Sequence, residues 1–271
     1  MGAYPKYDPD EEIERTVRRA READIAVIVV GLNKDWEAET FDRPNLALPL
    51  RQNELIRRVA TVQPNTVVVV QGGSAISMPW KDEVSAIVFA WYGGNETGNA
   101  IADVLYGDYN PSGRLPLSFP VRECDIAAGL NYRSARGAVH YEEGIWVGYR
   151  HHNARRISPL FPFGHGLSYT SFDYSNLGIV SVSSDDVQAD DWRLKASVKV
   201  TNTGDRSGDH SVHFYTTPPS ATETSLTHPE VTLQAFEKVY DLAPGESRVL
   251  EVELDKCKSR SVQQVSSVSA D

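Results

Sequence analysis

The 271-residue chain carries 27 Lys and Arg residues against 37 Asp and Glu residues, a formal net charge of −10 at pH 7. This acidic balance, without a run of basic residues, argues against nucleic acid as a partner. Apolar residues make up 41% of the chain, which is ordinary for a globular protein, and no apolar run approaches the roughly 18 residues that a membrane-spanning helix needs. The composition therefore predicts about two globular domains and no membrane association.

The first part of the chain alternates helix and strand patterns. Acidic residues after Asp8 open a helix that should end near Glu22, and the apolar run from Ile25 to Val30 predicts a parallel strand covered on both faces. Pro49 suits the first turn of a second helix. The later elements are Thr66 to Val70, Ser85 to Ala90, and a helix from Asn95 to Tyr106 that Gly107 ends, with Ala100, Ile101, Val104 and Leu105 inward.

This alternation predicts an α/β fold with a partial doubly wound parallel sheet layer, to which we assign residues 1–120. Sheets of this kind usually have about five or six strands, so we expect the amino-terminal part of the layer to be missing.

The loop after the first predicted strand concentrates acidic and aromatic side chains. It holds Asp35, Trp36, Glu37, Glu39, Phe41, Asp42 and Arg43. Loops beyond the carboxyl ends of parallel strands are where α/β sheets bind ligands. We therefore expect the chemistry of the protein to lie in this loop.

The second half of the chain has two different textures. Residues 121–171, rich in aromatic, Gly and Pro residues, are predicted to be a connector pinned by its aromatic side chains. Residues 172–255 contain short β-branched runs separated by turn residues, which predicts a fibronectin type III-like β-sandwich. Residues 256–271 are predicted to be a disordered tail. Cys124 and Cys257 fall in different regions, so we expect free thiols.

Four blocks of the sequence carry a family resemblance that covers about Asp10 to Asp255. They are Glu39 to Arg43, Trp91 to Ala100, Gly107 to Pro116 and Phe161 to Thr170. Together they resemble glycoside hydrolase family 3, in its carboxy-terminal part only. Trp36-Glu37 and the run from Val147 to Arg150 are most similar to the β-glucosidase branch of fungi and yeasts, in which a carbohydrate-binding PA14 domain is often inserted.

The resemblance implies a fragment of a retaining β-glucosidase, which hydrolyses terminal non-reducing β-D-glucosyl residues. Glu39 corresponds to the general acid/base of the family, and Trp36 and Phe41 are expected to contact the substrate and to raise the pKa of that acid. The nucleophile of the family lies on an amino-terminal (β/α)8 barrel that this chain lacks. The implied partners are a β-glucoside or oligosaccharide and the missing barrel, with no cofactor and no metal. Secretion is implied as well, although the amino terminus lacks a signal-peptide layout.

Several alternatives stay open at this point. The chain could be a non-catalytic carbohydrate-binding or scaffold module, or belong to another family 3 specificity such as a β-xylosidase or an N-acetylglucosaminidase. A nucleotide-binding domain is disfavoured because both G-x-G-x-x-G and a P-loop are absent. Glu37 is the nearest rival of Glu39 as the acid.

Other residues of the resembling blocks have two interpretations. Thr40 stands where the family tends to have Gly, so a positive φ at this position would strain the loop. Trp91 and Tyr92 could stack on a sugar or pack in the core. Asn95 begins a glycosylation pattern but also suits a helix cap. Asp42 and Arg43 are expected to form a local ion pair.

Overall fold

A computed structural model of the chain describes residues 8–40, 43–129, 131–132, 136–181, 193–217, 228–255 and 264–269. The chain divides into two compact units, Met1–Ala102 with Val121–Glu123, and Asp103–Pro120 with Cys124–Asp271. The predicted domain boundaries at residues 120, 171 and 255 stay predictions. None of the described helices has the length and apolar character that a membrane crossing requires.

The first unit is built on a three-stranded parallel sheet. Its strands are β1 (Ala26–Gly31), β2 (Thr66–Gln71) and β3 (Ala86–Phe89), in the order β1-β2-β3. The helices are α1 (Pro9–Glu22), α2 (Gln52–Val62) and α3 (Thr97–Tyr106), the last of which extends into the second unit. The predicted partial parallel sheet layer is therefore confirmed.

Local chemistry sets the start of α1 and the end of α3. The Asp8 side chain caps α1 by accepting a hydrogen bond from the Asp10 amide at 2.9 Å, and Pro9 occupies the first turn. Gly107 has a φ of +80° and its amide donates to the Val104 carbonyl, so it ends α3 as predicted.

Three details of the predicted layer are wrong. Ile28 and Val30 of β1 are buried, but Val27 and Val29 are 49% and 59% exposed, so β1 is not covered on both faces. In this chain α2 packs on β1 and β2, and α1 packs on α2, which accounts for the buried face. Pro49 lies three residues before α2, and Ala100 is exposed on a helix without buried residues.

The second unit contains an antiparallel β-sandwich. The strands are β4 (Phe172–Ser181), β5 (Arg193–Asn202), β6 (Gly208–Thr217), β7 (Thr232–Leu242), β8 (Ser247–Asp255) and β9 (Gln264–Ser269). They form two sheets in the orders β4-β5-β8 and β7-β6-β9, which share one apolar core. The sandwich prediction is confirmed. The disordered tail is wrong for β9, which pairs with β6.

The predicted connector is fastened to the sandwich within the second unit. The short helix α4 (Tyr149–Arg155) places the Tyr149 ring 5.3 Å from Phe163 and 6.0 Å from Tyr215. Arg114, which precedes the connector in the same unit, donates to the buried His210 at 3.1 Å, and burial lowers the pKa of His210 to about 4. Aromatic pinning of this segment is confirmed. Cys124 is a free, exposed thiol, whereas Cys257 lies outside the described residues.

Candidate functional site

The acidic loop leaves the sheet at Gly31, where the chain is tightly packed. A Cβ atom on Gly31 would lie 2.1 Å from the carbonyl oxygen of Gln71, so only glycine allows β1 and β2 to approach this closely. The Gln52 side chain accepts from the Gly31 amide at 2.8 Å and donates to its carbonyl at 3.1 Å. These contacts fix the point and the direction in which the loop begins.

The first part of the loop is a turn built on Asn33. The Trp36 and Glu37 amides both donate to the Asn33 carbonyl at 2.9 Å, and the Asp35 amide donates to the Asn33 side chain at 2.9 Å. Trp36 is half-buried. The turn brings Glu37 back toward the loops that follow β2 and β3.

Glu37 accepts hydrogen bonds from both of these loops. Its donors are the Gly73 amide at 2.8 Å, the Ser74 hydroxyl at 2.5 Å and the Tyr92 hydroxyl at 2.7 Å. Partial burial alone would raise the pKa of Glu37, but the three hydrogen bonds and the charge of Arg43 outweigh burial and lower this pKa. Burial and the bond to Glu37 raise the pKa of Tyr92 to about 12. Glu37 is therefore ionised at neutral pH, which does not suit a general acid.

Glu39, two residues further on, has the opposite environment. Its side chain is exposed, and no hydrogen bond or ion pair engages its carboxylate among the described residues. Phe41 and Asp42, the predicted substrate contact and ion-pair partner, lie outside the described residues. The Glu37 carboxylate is thus hydrogen-bonded, whereas the Glu39 carboxylate is open.

The end of the loop is held by Arg43. One guanidinium nitrogen of Arg43 donates to the Ala75 carbonyl at 2.9 Å. Because Gly73 and Ser74 bind Glu37, the segment 73–75 contacts the loop on both sides of Glu39.

The aromatic pair after β3 divides between packing and hydrogen bonding. Trp91 is half-buried and packs edge-to-face on Phe89 at 4.6 Å. Tyr92 is 55% exposed, and its hydroxyl donates a hydrogen bond to Glu37. Asn95 is exposed in a short 3-10 turn before α3. Sequence reasoning missed the bond between Tyr92 and Glu37, which follow β3 and β1, the two parallel strands on either side of β2.

Thr40 has the positive φ that the sequence comparison with the family predicted would strain this loop. Its φ is +66°, in the left-handed region that a β-branched residue rarely enters. The conformation costs a residue with a Cβ atom about 1–2 kcal/mol.

We expect Thr40→Gly to raise the free energy of unfolding of the chain by about 0.5–1 kcal/mol, because glycine removes this strain at some cost in unfolded-state entropy. Thr40→Ala keeps a Cβ atom and should leave stability nearly unchanged. Urea denaturation of the three proteins measures the difference, and a glycine variant less stable than the alanine variant would contradict the strain.

No set of three His, Cys, Asp or Glu side chains that could hold a metal ion occurs in the part of the chain that the structure describes. The Glu37 carboxylate accepts three hydrogen bonds, whereas the exposed Glu39 carboxylate accepts none among the described residues.

Comparison with known proteins gives two family matches. The model of the glycosyl hydrolase family 3 C-terminal domain matches residues 4–169, and that of the fibronectin type III-like domain matches residues 210–268. Among curated proteins, probable β-glucosidase J of Neosartorya fischeri is 47% identical over 252 residues, which cover 93% of this chain and 29% of that protein. Probable β-glucosidase I of Aspergillus clavatus is 46% identical over 256 residues, covering 94% of this chain and 30% of the relative.

Solved structures agree with these matches. The crystal structure of β-glucosidase from Kluyveromyces marxianus in complex with glucose superposes with a TM-score of 0.84 at 43% identity, covering 92% of this chain and 29% of that one. The β-glucosidase from Streptomyces venezuelae in complex with D-glucose gives a TM-score of 0.83 at 38% identity, with 91% and 30% covered. The chain thus spans about 30% of the length of the relatives that it matches.

Proposed function

The chain belongs to glycosyl hydrolase family 3, and from that premise we propose that it is the carboxy-terminal part of a retaining β-glucosidase, with Glu39 as the general acid/base. In this proposal the nucleophile comes from a barrel domain in the rest of the protein. The substrate is a β-glucoside or a β-linked oligosaccharide.

The open carboxyl group of Glu39 carries the proposal. A general acid needs a carboxyl group that is free to take up and release a proton beside the glycosidic oxygen. Glu39 lies in the loop that follows a parallel strand and has no partner among the described residues, whereas the hydrogen bonds to Glu37 hold that rival in its ionised form.

The proposed reaction has two steps. A retaining enzyme places two carboxyl groups about 5–5.5 Å apart, so that one attacks the anomeric carbon while the other protonates the leaving oxygen. Glu39 gives its proton to the departing alcohol in the first step. In the second step the Glu39 carboxylate takes a proton from the water that attacks the glycosyl-enzyme. Trp36 and Phe41 are proposed to line the substrate side of the loop.

Activity measurements with and without a barrel test the proposal. We expect the purified 271-residue chain to show no hydrolysis of p-nitrophenyl β-glucoside, because a retaining mechanism needs a second carboxyl group that the barrel must supply. A chimera in which the chain replaces the corresponding part of the Kluyveromyces marxianus β-glucosidase should hydrolyse this substrate.

Two outcomes would contradict this assignment. Turnover by the chain alone that is lost in Glu39→Gln would mean that the nucleophile is its own. A folded chimera that binds glucose without turnover would support the non-catalytic module instead. Faster hydrolysis of p-nitrophenyl β-xyloside by the chimera would keep the mechanism and change the substrate.

A further inference from the structure

We propose that Glu37 is a positioning residue, whose ionised carboxylate holds the acid/base loop against the loops that follow β2 and β3. The proposal rests on the proposed function, since it concerns the placement of Glu39. It gives a role to a side chain that lies two residues from Glu39 and cannot itself act as the acid.

The contacts of Glu37 connect three separate loops. Both carboxylate oxygens are used, because Ser74 donates to Oε1 while Gly73 and Tyr92 donate to Oε2. A Cβ atom on Gly73 would lie 3.1 Å from Oε2 of Glu37 and 3.1 Å from the Tyr92 ring. A side chain at position 73 would therefore push the Glu37 carboxylate or the Tyr92 ring away by a few tenths of an ångström.

The charge of Glu37 makes these bonds strong. Hydrogen bonds to an ionised acceptor are about twice as strong as those between neutral groups. The pKa of Glu37 is lowered despite partial burial, so the carboxylate stays ionised and keeps all three donors throughout the neutral range.

A second contact with the segment 73–75 holds the other end of the acid/base loop. Arg43 donates to the Ala75 carbonyl at 2.9 Å, so residues 73–75 bind the loop on both sides of Glu39. The strained Thr40 lies between the two anchors. A strained residue persists only when its surroundings over-determine it, and the anchors supply that constraint. Releasing Glu37 should let Thr40 relax and move Glu39.

The hydrogen bond from the Gly73 amide to Glu37 can be measured in the 271-residue chain, without an activity assay. In ¹⁵N-glycine-labelled protein, the Gly73 amide shift should titrate with a midpoint below the usual pKa range of a glutamate, as the accepting carboxylate is protonated. Glu37→Gln should abolish this titration, and Glu39→Gln should preserve it. A Gly73 amide that does not respond to pH would overturn the proposal.

The catalytic consequence is measured in the chimera by leaving-group dependence. A misplaced acid slows the cleavage of alkyl glucosides, which need protonation, more than that of 2,4-dinitrophenyl β-glucoside, which does not. We expect Glu37→Gln to lower kcat/KM for methyl β-glucoside by about ten-fold, with a much smaller loss for the dinitrophenyl substrate. Tyr92→Phe, which removes one donor and keeps the ring, should give a smaller loss with the same pattern.

Controls separate the possible failures. Asp24→Asn removes an exposed carboxylate at the opposite end of β1 and should leave both substrates unaffected. Equal losses on both substrates in Glu37→Gln and Tyr92→Phe would mean a purely structural role and overturn the positioning proposal. If Glu39→Gln also slows both substrates equally, the assignment of Glu39 as the acid/base fails as well. The result for Glu39→Gln therefore distinguishes a failure of the proposed function from a failure of the positioning role of Glu37.

Discussion

Glu39→Gln in the chimera is expected to lower kcat/KM for methyl β-glucoside by about 10²–10⁴, the contribution usual for a positioned general acid. Glutamine keeps the size of the side chain but has no proton of suitable acidity to give to the leaving alcohol. The open environment of Glu39 means that the substitution breaks no described hydrogen bond, so the loss should appear in rate and not in stability.

The dependence on the leaving group decides whether Glu39 acts as an acid. Dinitrophenolate departs without protonation, so kcat/KM for 2,4-dinitrophenyl β-glucoside should fall far less than that for the methyl glucoside. Added azide should accelerate turnover of the dinitrophenyl substrate in the variant, since an anionic nucleophile needs no base to attack the glycosyl-enzyme. A uniform loss that azide does not relieve would contradict the role, and Asp24→Asn is the charge-matched control.

The parallel layer could be predicted from sequence because its signals are local. The apolar runs that became β1 and β2 are each followed by a change to polar loop residues, and Gly107 ends α3 where a left-handed residue is needed. The strained angle at Thr40 could be anticipated because the family resemblance implies a glycine where this chain has a β-branched residue.

The features that could not be predicted from the sequence depend on contacts between residues that are far apart along the chain. A continuous apolar run shows that β1 is apolar but not which face this chain covers, so the exposure of Val27 and Val29 could not be read from it. The hydrogen bonds to Glu37 come from donors 36 to 55 residues away along the chain, and one donor is a backbone amide, which has no sequence signature. β9 lacks turn residues in its vicinity and is recognised only by its pairing with β6.

Asn202→Asp is expected to lower the free energy of unfolding of the sandwich by about 3–5 kcal/mol, the loss usual for an uncompensated buried charge. Asn202 is fully buried at the end of β5. Its side-chain nitrogen donates to the Arg206 and Leu242 carbonyls at 2.7 and 2.8 Å, and its oxygen accepts from the Thr170 hydroxyl and the Gly204 amide. An aspartate keeps the two acceptor contacts but turns an oxygen toward the two carbonyl oxygens.

The pH dependence of this loss identifies its cause. Burial beside two carbonyl oxygens raises the folded-state pKa of an aspartate at position 202, so the folded variant takes up a proton before the unfolded one does. The stability of Asn202→Asp relative to wild type should therefore improve as the pH falls from 7 to 5, because the protonated acid can donate to one carbonyl again. Urea denaturation followed by tryptophan fluorescence at both pH values measures this difference.

Two matched variants separate lost hydrogen bonds from the buried charge. Asn202→Ala removes all four contacts without adding charge, so its loss of about 2–4 kcal/mol should not change between pH 7 and pH 5. Asn176→Asp makes the same chemical change at an exposed position of β4 and should shift stability by less than about 0.5 kcal/mol. Parallel losses for Asn202→Asp and Asn202→Ala at both pH values would mean that the lost donation to Arg206 and Leu242, and not a buried charge, accounts for the effect of Asn202→Asp.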